Sequence, residues 1–162
     1  MIYRVDFETI QKVWRKNLWV EGDSADKRYN RIKIDGKFDQ DMAEKTVMYW
    51  AYRLDDPNDQ NPLQSSHGEI VGVNSGYKSC ENYYRSRGLW VTPRFRGAGF
   101  AKSLLDVAIG ESIFWNCRYI WSYPREESLP VYESMGFEKK TDFQVASYGF
   151  NCIAVKDNNL YK

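Results

Sequence analysis

The sequence predicts one mixed α/β domain spanning residues 1–162, with a mostly antiparallel, twisted sheet flanked by helices. Three observations lead there. A chain of 162 residues has the usual size of one domain and can bury a real core. Strand-like and helix-like periodicities follow one another in the order β-α-(α)-β-β-β-α-β-α-β. No internal repeat, linker or low-complexity tract divides the chain.

Ile2 to Val5 reads as a short strand, and Asp6 as the cap of a helix whose apolar face holds Phe7, Ile10, Val13, Trp14 and Leu18. Glu21 to Asp41 is polar and carries no firm assignment. Thr46 to Leu54, rich in Val, Tyr and Trp, is a strand, followed by turn chemistry at Asp55–Asp59 and Asn61-Pro62. Glu69 to Val73 resumes as a strand, which Asn74-Ser75-Gly76 is expected to turn. Tyr83 to Val91 follows as the next strand. A helix runs from about Gly97 towards Trp115, with Gly110 marking a kink, an early end or close packing. Tyr119 to Tyr123 is a strand stopped by Pro124. Glu127 to Met135 is a short helix closed by Gly136, and Phe143 to Val155 alternates like one or two strands.

The most informative segment is Arg94-Phe95-Arg96-Gly97-Ala98-Gly99-Phe100-Ala101, lying between the strand that stops at Pro93 and the helical spacing of Ala101, Leu104, Leu105 and Ala108. A Gly-rich turn that opens a helix suits an anion, because the first helical amides lack internal partners and the macrodipole is positive there. Gly97 and Gly99 remove Cβ atoms from the approach, and Arg94 and Arg96 add forked cationic donors. Taken alone, the glycines also suit a plain turn and the arginines a solvated surface. Two nucleotide motifs do not fit. A P-loop needs glycines where Arg96 and Ala101 stand, and a dinucleotide fingerprint needs a small residue where Lys102 stands.

The pattern that does fit is [RQ]-x-x-G-x-[GA], at Arg94 to Gly99. This segment resembles the acetyl-CoA-binding motif of the GNAT superfamily of N-acetyltransferases. A second stretch, Tyr132-Glu133-Ser134-Met135-Gly136-Phe137, is similar to the Y-E-x-x-G-F ending of that family's later helix, in the right order and at the right separation. The resemblance implies a sheet whose central strands splay, with acetyl-CoA as acetyl donor and an amine as acceptor. It implies that pantetheine lies along the backbone of Leu89, Trp90 and Val91, facing Trp121 and Tyr123. The pyrophosphate would meet Arg94 and the segment Arg96, Gly97, Ala98, Gly99, Phe100 and Ala101. It places the catalytic tyrosine at Tyr132, which would also touch the cofactor. A phenol with a pKa of about 10 is a reasonable proton donor to a thiolate whose conjugate acid lies near about 8.5. The family's Asn seven positions before that tyrosine is here Arg125, which would reach a phosphate instead.

A base to deprotonate the acceptor is less plainly marked. The cradle-side strand carries Arg85 and Arg87, so the candidate carboxylates are Glu81 before it and Glu69 on the preceding strand. His67, the only histidine, is a third choice, although its Ser65-Ser66-His67-Gly68 setting reads as a surface turn. Proximity alone accelerates such a transfer. Asp23, Asp35 and Asp39 would attract a cationic amine or simply serve turns, and the Tyr and Trp content suggests a partly aromatic acceptor pocket.

Composition narrows the alternatives. A net charge of +1 gives no electrostatic case for nucleic acid or an anionic membrane as main partner. No apolar run spans a bilayer, and the N-terminus lacks a signal peptide's apolar core. Cys80, Cys117 and Cys152 are widely spaced and form neither a disulfide framework nor a metal-ligand pair, so a cytoplasmic monomer or homodimer without bound metal is expected. The rival readings are a Cys/His acyl transferase or hydrolase, a catalytically weak or inactive CoA-binding or protein-interaction module, and nucleic-acid stacking on Tyr83-Tyr84-Arg85-Ser86-Arg87.

Overall fold

The structure is a computed structural model describing residues 1–54, 68–146 and 149–159. Strand β1 (Ile2–Val5) ends at Asp6, whose carboxylate accepts a 2.8 Å hydrogen bond from the Thr9 amide and caps α1 (Phe7–Asn17). One otherwise orphaned first-turn donor is thereby satisfied. α1 buries Ile10 and Trp14, which lie four residues apart on one face. The polar stretch unassigned from sequence holds a 3-10 turn at Ser24–Asp26 and a short helix, α2 (Gln40–Thr46), capped by Asp39. β2 (Met48–Arg53) follows.

The expected turn at Asn74-Ser75-Gly76 does not form, and β3 (Ile70–Cys80) runs straight through it. Its polar residues are satisfied inside the sheet rather than by solvent. Asn74 exchanges hydrogen bonds of 2.9 and 3.1 Å with the Ser86 hydroxyl, and Ser75 Oγ donates to the Arg87 carbonyl at 2.6 Å. Gly76 is small because the Tyr84 ring occupies its Cβ position, 2.5 Å away. Gly110 does not end α3 (Phe100–Phe114), and beyond the helix's own backbone no atom lies within 4 Å of an added Cβ there.

The remaining strands are β4 (Tyr83–Val91), β5 (Tyr119–Ser122), β6 (Glu138–Lys139), β7 (Gln144–Ala146), β8 (Gly149–Asn151) and β9 (Ala154–Asp157), with α4 (Leu129–Ser134) between β5 and β6. Phe143 to Val155 thus contains more, shorter strands than its alternation suggested. Seven strands form one mixed sheet in the order β1-β2-β3-β4-β5-β9-β6, and β7 with β8 makes a separate hairpin. All neighbours in the large sheet are antiparallel except β4 and β5, which are parallel.

β4 decides the architecture of the site. Val73 pairs with Trp90 and Ser75 with Arg87, so β4 spends one residue more than β3 over that interval. This is a β-bulge, and Gly88 sits in it at φ +80°. The bulge exchanges the two faces of the strand. Before it, Tyr84 packs on the side of α3 with Leu104 and Leu105; after it, Leu89 and Val91 do so, while Trp90 joins Trp14 and Val73 on the side of α1. Each face of the sheet therefore has its own apolar core. Among the described residues no helix is long and apolar enough to cross a membrane, and no His/Cys/Asp/Glu cluster could hold a metal ion.

Candidate active site

β4 and β5 pair only at Tyr83 to Arg85 against Tyr119 to Trp121. Beyond that the strands part, and the backbone of Leu89 to Val91 has no rung on the β5 side. A groove of about 710 Å³ opens there. β4 contributes Leu89, Trp90 and Val91; the following loop and α3 contribute Arg96, Gly97, Gly99, Phe100, Ala101 and Lys102. Opposite them stand Arg125, Ser128, Pro130 and Val131.

The glycine-rich turn is built by backbone conformation. Gly97 and Gly99 have φ of +85° and +90°, left-handed values that favour glycine, and no protein atom lies within 4 Å of an added Cβ at either. Gly99 is the N-cap of α3 and offers no side-chain cap, whereas Asp6 and Asp39 cap α1 and α2. The first amides of α3 thus stand without a side-chain acceptor at the positive end of a four-turn helix. Arg96 Nε donates to the Val91 carbonyl at 3.0 Å, which holds this guanidinium beside the groove.

A second cavity of about 60 Å³ abuts the groove at Leu18, Leu89, Arg125 and Ser128. It lies where the strands separate and joins the two faces of the sheet. From the α4 side come Tyr132 and Ser122; from the α1 side come Arg85, Arg87 and Asn30; Asn151 of β8 completes it. Tyr132 is buried, and its hydroxyl shares a 3.2 Å hydrogen bond with Ser122 Oγ, which donates to the Ser86 carbonyl at 2.8 Å. Burial raises the Tyr132 pKa above the ordinary tyrosine value, opposed in part by the Ser122 hydrogen bond and the Arg85 charge. The phenol is therefore held protonated at neutral pH.

The residues expected to bind cofactor mostly converge. Leu89, Trp90, Val91, Arg96 and Gly97 line the groove, as do Gly99, Phe100, Ala101 and Arg125, and Tyr132 lines the smaller cavity. Arg94 and Ala98 line neither; Arg94 forms an exposed ion pair with Glu69. That pairing also keeps Glu69 away from both cavities. Glu81 sits in the β3–β4 turn, 70% exposed and 3.8 Å from Lys78 Nζ, at the end of β4 remote from Gly88. The structure thus brings neither candidate base to Tyr132. Asp39 caps α2, Asp23 pairs with Lys27 at 3.6 Å, and Asp35 turns the chain at φ +52°, so none lines either cavity. His67 lies outside the described residues.

Ser122, Asn151, Asn30 and Lys102 went unmarked in the sequence. Lys102 had a readable signal, a cation in the first turn of the motif helix; the other three are short polar residues that only the tertiary fold brings together. Two of the rival readings find no support among the described residues. All three thiols are buried, and burial pushes Cys117 up to about 11 and raises Cys80 and Cys152, which keeps them protonated. Tyr84, Arg85, Ser86 and Arg87 are buried, so these four residues offer nucleic acid no stacking surface.

A sheet parted beside a bulge, next to an uncapped, glycine-rich helix start, suits an anionic ligand with an extended arm. Residues 23–137 match the acetyltransferase (GNAT) family, and the chain belongs to it. No curated protein is a significant match to the sequence. Among solved structures, an IAA acetyltransferase from Bacillus cereus superposes with a TM-score of 0.69 at 13% identity, covering 97% of this chain and 98% of that one. A GNAT-family acetyltransferase from Staphylococcus aureus gives 0.64 at 16% identity, covering 97% and 98%. A NatC complex bound to Gag peptide and CoA gives 0.66 at 17% identity, covering 97% of each chain. These likenesses establish the shared fold.

Proposed function

We propose that this protein is an N-acetyltransferase that moves the acetyl group of acetyl-CoA to an amine by direct attack within a ternary complex. The observation that carries the reading is the meeting of two cavities at the parted strands. The groove has an uncapped helix start and runs past Leu89 to Val91, which β5 does not pair, to the smaller cavity that Tyr132 lines.

Acetyl-CoA, when bound, supplies an activated thioester. The residues present fit it. The amides of Phe100 to Lys102 and the Arg96 guanidinium take the pyrophosphate, and Lys102 adds a further positive charge. The side of Leu89 to Val91 that β5 leaves unpaired, where Arg96 already holds the Val91 carbonyl, takes the amide-bearing arm as an added strand would be taken. Tyr132 donates its proton to the departing thiolate.

Among the described residues no carboxylate lines the smaller cavity. Glu69 and Glu81 line neither cavity, so on this reading neither meets the amine directly. Arg85, Arg87 and Arg125 line that cavity and disfavour an ammonium, so the amine sheds its proton to water on entering. Proximity then supplies most of the acceleration.

Calorimetric titration with acetyl-CoA, using acetate as blank, tests the reading. Micromolar binding is expected, and a folded Arg96→Ala, Gly99→Glu double variant should lose it. No binding up to millimolar concentrations in the unaltered protein would overturn acetyl-CoA as donor.

A further inference from the structure

The two arginines of β4 point to the same face, but they are used differently. Arg87 donates to the Lys27 carbonyl at 2.9 Å and the Ser24 carbonyl at 2.7 Å, with its guanidinium 5.1 Å from the Trp14 ring and 4.5 Å from Trp19. It fastens the 3-10 turn to the sheet. Arg85 is 4% exposed and uses only Nη1, towards Asn30 Oδ1 and the Tyr77 hydroxyl at 3.3 Å. Its Nε has no hydrogen-bond partner, and no carboxylate pairs with it among the described residues. The Trp121 ring, 4.9 Å away, covers one side of the guanidinium.

A buried guanidinium with no counter-ion and unused donors is an anion site awaiting its anion. Arg85 lines the cavity that also holds Tyr132, so the anion belongs to the acceptor and not to the distant pyrophosphate end. The same cavity is lined by Asn151, whose Nδ2 donates to the Tyr123 carbonyl at 2.7 Å while its buried Oδ1 has no partner. One unmet cation and one unmet acceptor match a molecule carrying a carboxylate and an N–H. A volume of about 60 Å³ suits a carboxylate on a short chain rather than a large head group.

We infer that the acceptor is a small amine bearing a carboxylate, an amino acid or close relative, whose carboxylate is bound by Arg85. This rests on the acetyltransferase reading and reverses the expectation that acidic side chains draw in a cationic amine. Lysine-rich protein tails and polyamines are correspondingly poor acceptors.

The test measures release of the CoA thiol with amino acids, each paired with its amide and its decarboxylated amine, alongside O-phosphoethanolamine. The acids should exceed their paired analogues in kcat/KM on the order of 100-fold. Arg85→Gln should abolish that preference, chiefly through KM, with calorimetric acetyl-CoA binding retained; Arg85→Lys, which keeps the charge should Gln fail to fold, should retain a weaker preference. Equal turnover of acids and amides by the unaltered protein would overturn the carboxylate assignment. Preference for the phosphate ester would overturn it in favour of a phosphate anchor. If acetyl-CoA itself does not bind, the donor reading falls, and tryptophan fluorescence with the same panel decides separately: binding of acids but not amides upholds the anion site, and binding of neither removes it.

Discussion

The indole Nε1 of Trp14 donates to the Gly88 carbonyl at 2.9 Å, and the same indole lies 2.5 Å from where a Gly88 Cβ would be. A helix residue thus clamps the bulge that parts β4 from β5. The core beneath α1 and the opening of the candidate site are one mechanical unit, because Trp14 is fully buried and cannot withdraw without emptying that core.

Gly88→Ala must both hold a left-handed φ and displace the indole. The backbone strain costs about 1–2 kcal/mol and the overpacking about 1–3 kcal/mol. Urea unfolding should show a loss of about 2–5 kcal/mol. Acetyl-CoA affinity, measured by calorimetry on the folded fraction, should fall as well, since Leu89 to Val91 shift with the bulge. A variant that loses stability but binds normally would show that the bulge does not shape the groove.

Tyr132→Phe removes the proposed acid and a single hydrogen bond to Ser122. kcat should fall about 100-fold or more with little change in acetyl-CoA affinity, and stability should fall by about 1 kcal/mol. The acid must be protonated to work, and its pKa is raised from 10.0, so the alkaline loss of kcat attributable to Tyr132 should come only above that pH. A pH–rate profile of the unaltered enzyme checks this, and an unchanged kcat in the Phe variant would remove Tyr132 from the chemistry.

Much of this was legible before any coordinates. Local signals carried it: Asp6 as cap, the glycine turn, and the spacing of Leu104, Leu105 and Ala108 all act within one or two turns of chain. What failed to show was non-local. Asn74-Ser75-Gly76 reads as a turn because its polar residues ordinarily seek solvent, yet Ser86 and Arg87 of the next strand satisfy them. Glu69 read as a base because nothing local reveals its pairing with Arg94. Arg85 and Asn151, 66 positions apart, reach one cavity only through the sheet order that sets β9 beside β5 and the Arg125–Asn151 bridge.

Several buried acids that are neutral at physiological pH make alkaline stability a further test. Burial raises Cys117 from 9.0 to about 11 and Tyr49 from 10.0 to about 12. Above their ordinary values the unfolded chain loses these protons while the folded protein keeps them, so stability falls as pH rises. The Cys117 contribution is lost between pH 9.0 and about 11, and the Tyr49 contribution between 10.0 and about 12. At about 1.4 kcal/mol per unit, Cys117 alone accounts for roughly 3 kcal/mol. Urea midpoints across this range should decline, and Cys117→Ala should flatten the lower part of the decline.

Arg87→Lys separates the structural arginine of β4 from the proposed ligand-binding one. Lysine cannot reach the Ser24 and Lys27 carbonyls with one planar fork while lying against Trp14 and Trp19. Losing one charged hydrogen bond and part of the ring contact should cost about 2–4 kcal/mol in urea unfolding. Limited proteolysis should cut faster between Trp19 and Asn30, where the 3-10 turn loses its anchor. Arg85→Lys should leave that segment resistant, because Arg85 holds none of its backbone carbonyls and touches it only through the Asn30 side chain. Equal protease sensitivity in both variants would mean that the two arginines share one structural task.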